Sequence, residues 1–161
     1  MKRFDYEKAV DNYQRKYKKN IVYLALFSFL FVITFVLGVI FSTFENKTIM
    51  MVIFSILLVI ITFFIVTILL FGVLENRKNI KSLLYILDGY LVIVDGRVKE
   101  IKNLFTTMSG RKGIEIIIQD NYEEICVYFD PIFNELPFKI NDEVSLKICN
   151  SFIIEYEVKN G

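Results

Sequence analysis

A chain of 161 residues has room for one ordinary domain or two small ones, and 55% of this one is hydrophobic. Its 19 basic and 18 acidic side chains leave a formal charge of +1, but residues 75–161 hold 11 basic and 14 acidic side chains, a balance that argues against a nucleic-acid-binding domain. It has no histidine, and its two cysteines, Cys126 and Cys149, have no C-x-x-C spacing, which argues against zinc and leaves two free thiols.

The first 20 residues, "MKRFDYEKAVDNYQRKYKKN", carry seven basic and three acidic side chains. Tyr6, Val10, Tyr13 and Tyr17 fall on one helical stripe, and Asp11 precedes Arg15 by four residues, a supporting ion pair. A basic amphipathic helix over 1–20 is expected. It either lies on the inner membrane surface or runs straight into the apolar stretch that begins at Ile21, or its tyrosines pack against the C-terminal part. Lys16, Lys18 and Lys19 are candidates for contact with anionic lipid.

Residues 21–41 and 48–74 contain no charged residue. A bilayer core about 30 Å thick needs roughly 20 apolar residues in a helix, so both runs are long enough to span it. The long charged start and the lack of an A-x-A site after the first run argue for a retained anchor over a cleaved signal. Basic residues concentrate before the first run and, as Arg77, Lys78 and Lys81, after the second, whereas the connection "STFENK" holds only Lys47. The bias predicts a two-helix hairpin over 21–74 in the cell membrane, multi-pass, with both termini cytoplasmic. Arg77 and Lys78 join the membrane-surface set.

Thr34 and Gly38 form a small-x-x-x-small pair, and Ser55 and Thr62 share a face; these four are the candidates for helix–helix packing. Ser28 and Thr67 add further hydroxyls in the runs. Neither run has an ionisable residue, which disfavours a pump or carrier but leaves an oligomeric pore lined by hydroxyls as an alternative.

After a polar linker over 75–82, the pattern turns to strands. Asp88-Gly89 and Asp95-Gly96 punctuate apolar runs, and Asp-Gly is a strong hairpin signal. It predicts a strand at Tyr90–Val94 turning at Asp95-Gly96 into a partner at Arg97–Leu104. Ile114–Gln119 and Glu124–Phe129 form a second hairpin across "DNY". Val144, Leu146 and Ile148 alternate with polar residues, and Asn150-Ser151 turns that strand into "FIIEYEV". Five or six short strands over 83–161 predict a small all-β domain, a barrel of OB or SH3-like type, behind a membrane α-helical hairpin.

"SGRKG" at Ser109–Gly113 lacks the spacing of a phosphate loop. Glu123 and Glu124 are adjacent in an extended segment and point to opposite faces, so they do not make an acid–base pair. Neither cysteine has a histidine to activate it. No cofactor or catalysis is expected. "YFDPIFNELPF" holds Tyr128, Phe129, Ile132, Phe133, Leu136 and, after Pro137, Phe138. It either exposes an apolar docking patch, with Phe129, Ile132, Phe133, Leu136 and Phe138 as partner-binding residues, or plugs one end of the barrel.

"GRVKEI", "FKINDEVSLKI" and "FIIEYEV", following a membrane hairpin, resemble the layout of NfeD-like small membrane proteins, with Asn141 where that family has glycine. That resemblance implies an OB-like domain, a partner of the SPFH scaffold class and no catalysis by this chain. Bacterial membrane-anchored PH-like domains have a comparable layout. The reading of the whole sequence is a non-enzymatic membrane adaptor or accessory subunit at the bacterial inner membrane. Its β-domain would bind a protein: a scaffold, a transporter or secretion complex, or a toxin it neutralises. The alternative is a small homo-oligomeric channel.

Overall fold

The computed structural model of the chain describes residues 1–41, 47–106, 112–120, 123–133 and 135–159, with backbone alone for 103–106. Most of "STFENK", most of "SGRKG" and the tip of "DNY" lie outside the described residues. Two compact units emerge: Met1–Val10 with Asn79–Gly161, and Asp11–Lys78. The first ten residues therefore belong with the C-terminal part, and the expected division at residue 20 does not follow the unit boundary.

Asp5 caps the first helix, α1 (Tyr6–Phe41), its carboxylate accepting from the Lys8 N–H at 2.9 Å. Neither Gly nor Pro interrupts it before the apolar run, so leader and run form one helix. A second continuous helical stretch comprises α2 (Lys47–Thr67), a π-helical segment (Ile68–Leu74) and α3 (Glu75–Leu87). The expected linker over 75–82 is thus helical, because "ENRKNIKS" contains neither Gly nor Pro to stop a helix already under way. Both stretches are long and apolar enough to cross a membrane.

Within the Asp11–Lys78 unit the two helices run antiparallel. Phe27 stacks on Phe64 at 5.5 Å and Phe41 on Phe54 at 6.0 Å. The half-buried residues of α1, Leu24, Phe27, Phe31, Thr34 and Gly38, recur at spacings of three and four. That is the seam of a left-handed helix pair. A Cβ on Gly38 would lie 3.2 Å from the Phe54 Cβ, so the glycine lets the helices close. Nearer the far end, Asn76 donates from Nδ2 to the Gly72 carbonyl at 2.5 Å within the π-helical segment, whose widened ladder is a common site of such insertions.

The other unit is built on a six-stranded sheet: β1 (Lys2–Arg3), β2 (Leu91–Thr106), β3 (Lys112–Gln119), β4 (Glu124–Phe129), β5 (Glu143–Cys149) and β6 (Phe152–Val158). Strand order is β1-β6-β4-β3-β2-β5, with β5 also pairing β6. All pairings are antiparallel except one parallel register pair, Tyr128 with Phe152. The two-residue loop between β5 and β6 has Asn150 at φ 48° and Ser151 at φ 66°, the left-handed pair that matches strand twist in a tight hairpin. Asn141, at φ 77°, takes a conformation that glycine fills most easily and asparagine tolerates.

The expected hairpin at Asp95-Gly96 is not formed. Residues 91–106 are one strand that pairs β5 from Leu91 to Arg97 and β3 from Arg97 onward. A Cβ on Gly96 would lie 2.6 Å from the Gln119 carbonyl oxygen, so the glycine serves a close approach between strands. Asp88-Gly89 instead ends α3 and leads into β2.

The core gathers Val94, Val98, Ile116, Ile118, Val127, Phe129, Phe138, Val144, Leu146 and Ile153. Apart from Phe138, which precedes β5, these lie on one face of their strands. Leu83 and Ile86 of α3, with Tyr6, Ala9 and Val10 of α1, are also buried.

Candidate docking surfaces

The N-terminal arm reaches the β-strands by both backbone and side chain. Lys2 and Arg3 pair with Tyr156 and Glu155, and the Phe4 N–H donates to the Ile154 carbonyl at 2.8 Å. The Phe4 ring then lies 4.8 Å from Phe133, 5.1 Å from Tyr156 and 5.5 Å from Phe129, centroid to centroid. The Tyr6 ring meets Phe133 edge-on at 4.8 Å, and its hydroxyl donates to the Ile153 carbonyl at 3.2 Å.

This arm accounts for the residues expected to bind a partner. Phe129 and Phe138 are 1% and 2% exposed and belong to the core, so the expectation that they lie on an exposed patch is corrected. Phe133 and Leu136 are half-buried and packed against that core, and Ile132 is half-buried on a 3-10 turn, Pro131–Phe133, whose Ile132 N–H donates to Asp130 Oδ1. The segment covers the core, and the chain's own first residues cover the segment. Replacing Phe4 by alanine should cost the unit about 2 kcal/mol, roughly half the loss for a fully buried phenylalanine, and lower its thermal midpoint. A melt unchanged by Phe4→Ala would contradict this packing.

A different surface is open. Tyr90 is 94% exposed, and Leu91, Val92 and Ile93 are 64%, 53% and 60% exposed. Tyr90 precedes β2, and Leu91, Val92 and Ile93 begin it, before it meets β3, and pair only with β5. Five consecutive apolar residues, "YLVIV", read in sequence as a strand, and only Val94 of the five is buried. The signal available was the missing alternation.

At one end of the same sheet, Asp95, Gly96, Arg97, Gln119, Asp120, Glu143, Val144 and Lys159 line a cleft of ≈ 420 Å³. Its charges compensate one another: Lys159 Nζ lies 2.8 Å from Asp95, and Arg97 lies 3.0 Å from Glu143. The Lys159 hydrogen bond, with help from the Ser145 hydroxyl, holds the Asp95 carboxyl below its ordinary pKa. A depressed carboxylate stabilises the fold above its unfolded pKa and loses that contribution as pH falls through the folded value. Lys159→Ala should therefore move the Asp95 titration upward toward the ordinary range, followed by carboxyl NMR shifts. Further cross-strand pairs, Lys102 with Glu115 at 2.9 Å, Lys147 with Glu155 at 2.7 Å and Lys99 with Glu124, lie around the sheet's outer face. Exposed pairs of this kind are worth little individually.

Cys126 sits beside Glu115 and Tyr128, and loss of water around its thiol pushes its pKa up, away from a reactive thiolate. Cys149 is buried. No group of three or more potential metal ligands occurs among the described residues.

In the helical unit, Lys16, Lys18 and Lys19 are exposed, with Lys16 over the Tyr13 ring at 5.7 Å and Lys19 over the Tyr23 ring at 5.6 Å. Arg77 and Lys78 are exposed on α3. Thr34 and Gly38 lie in the helix seam. Ser55 and Thr62 are exposed, and their hydroxyls donate back to the Met51 and Leu58 carbonyls of their own helix, both at 2.7 Å. Thr62 borders a surface groove with Phe31, Leu58, Val59, Phe63 and Val66, which is otherwise apolar.

No protein-family model matches this chain, and no curated protein matches it.

Proposed function

We propose that the protein is a non-enzymatic membrane-anchored adaptor or accessory subunit whose β-domain docks another polypeptide. The observation that carries this is the open edge of β2, where Tyr90, Leu91, Val92 and Ile93 are all exposed. An apolar strand with an unpaired edge pairs readily with another chain, and soluble domains normally blunt such edges with charge or cover. Strand addition supplies backbone hydrogen bonds for affinity and side-chain pockets for selection.

Several features support the rest of the reading. The most apolar windows of the two long helices are 0% and 6% buried, unlike the core helices of a soluble fold, which suits two membrane spans. The flanking basic residues then put both termini in the cytoplasm. The pairings β2-β3, β3-β4, β4-β6, β6-β5 and β5-β2 form a ring, which favours a small closed barrel of OB or SH3-like type. A hairpin with such a barrel is the layout that motivates an NfeD-like assignment and a scaffold-class partner.

The test is affinity capture of the full-length protein, co-expressed with a differently tagged second copy, from native membranes in mild detergent, comparing wild type with Ile93→Lys. The adaptor reading expects a bound protein that the substitution releases while the melt of the β-domain is unchanged. An identical set of captured proteins from both forms would overturn it. The channel alternative predicts conductance in liposomes; the back-bonded hydroxyls of Ser55 and Thr62 give it little polar lining.

A further inference from the structure

We propose that the open edge of β2 pairs antiparallel with the same edge of a second copy of this chain, about a two-fold axis at Val92. This rests on the reading of that edge as a docking surface and names its occupant.

The register follows from which backbone groups are open. The Val98 N–H donates to the Asp142 carbonyl at 2.9 Å, and the Val98 carbonyl accepts from the Asn141 N–H at 2.8 Å. Val98 thus addresses the β5 side of its strand. In an antiparallel ladder, successive residues turn their hydrogen-bonding groups to opposite sides. Val92, Val94 and Gly96 therefore face β5, where the register pairs them with Ile148, Leu146 and Val144. Leu91 and Ile93 present N–H and C=O on the opposite side, where β3 first meets β2 at Arg97.

A second β2 strand must match open residues to open residues. An axis at Val92 sets Leu91 opposite Ile93 of the second copy, twice over. Each such pair exchanges both of its N–H···O bonds, so the open groups of both residues are satisfied. Val92 meets Val92 across the axis in the closer, non-hydrogen-bonded pairing, and Tyr90 meets Val94. An axis at Ile93 would instead set Leu91 against Asp95, whose carboxylate is held by Lys159. Apolar against apolar selects the first register.

A second copy suits this edge better than a foreign strand. Tyr90 to Val94 carries no charge, so it offers no charge pattern by which to select a different partner, yet it is complementary to itself. The edge is also small. Stable soluble complexes bury about 1,200–2,000 Å² in total, more than a five-residue strand provides. Copies anchored in one bilayer share an orientation and a high effective concentration, and a two-fold axis along the membrane normal relates them.

The experiment is oxidative crosslinking of the full-length chain in native membranes, in a Cys126→Ser, Cys149→Ala background, because Cys149 of β5 pairs with Leu91 and would capture Leu91→Cys within one chain. Single cysteines are introduced as Leu91→Cys, Val92→Cys and Ile93→Cys. A disulfide needs Cβ atoms within about 4.5 Å, so Val92→Cys should give about tenfold more covalent homodimer than either neighbour alone. Leu91→Cys and Ile93→Cys chains, co-expressed, should link to each other. Equal linking at all three positions, or none at Val92, overturns the proposal. A photoreactive residue at Tyr90 separates this outcome from failure of the adaptor reading. Capture of a different protein without homodimer removes the second copy and keeps the docking surface; capture of nothing removes both.

Discussion

Phe138→Asp should unfold the β-domain without touching any partner's binding site. Phe138 is 2% exposed and sits in the core, with the Tyr156 ring 6.2 Å away. A carboxylate there loses the apolar burial of the ring and is placed among the apolar side chains of the core. The cost should exceed about 4 kcal/mol, in the range reserved for buried unpaired charge. Domains of this size have about 5–15 kcal/mol in all, so most of the folded population would be lost. Urea denaturation followed by tyrosine fluorescence measures it, with Ile93→Asp as the control. Ile93 is exposed, so that substitution should leave the midpoint nearly unchanged. Similar midpoints for the two variants would place Phe138 at the surface after all.

Gly96→Val should produce the second large loss. Even the first added carbon would lie 2.6 Å from the Gln119 oxygen and 2.7 Å from Ile118 Cγ2. Gln119 cannot retreat freely, because it pairs with Arg97 on β2 and Glu124 on β4. The expected cost is about 3 kcal/mol, at the upper end for overpacking. Asp95→Thr is the informative companion. In a continuous strand, threonine fits well and only an exposed ion pair is lost; in a tight turn, a β-branched residue at positive φ is strained. A mild Asp95→Thr beside a severe Gly96→Val is the signature of the strand. Native-state proteolysis of the two variants distinguishes them.

Those two positions also show where the sequence could and could not be read. Ile114–Gln119, Glu124–Phe129 and the Val144–Ile148 alternation were legible because a buried face favours a period of two, and "FIIEYEV" because the Asn150-Ser151 turn precedes it. The two apolar helical runs were legible because length and lack of charge suffice. Asp95-Gly96 misled because the same dipeptide serves a turn and a close approach, and only the distant Gln119 carbonyl distinguishes them. Phe129 and Phe138 misled for a related reason. Phe129 is met by Phe4 and Phe138 by Tyr156, and the Tyr6 bond to Ile153 joins residues 147 apart. Local pattern carries no information about such a partner. The exposed run at Tyr90–Ile93 ran the other way, since continuous apolarity normally signals burial.

The return of the N-terminal arm to β6 changes what kind of object the hairpin is. Residues 11–78 leave the β-containing unit after Val10 and rejoin it at Asn79, so the whole helical pair is an insertion within one fold. Cutting the chain at residue 79 would discard β1, Phe4 and Tyr6 and uncover the aromatic cluster they seal. Joining residues 79–159 through a short flexible linker to residues 1–10 would instead keep every strand while dispensing with the apolar helices. Such a rearranged chain is the natural route to a water-soluble form of the β-domain.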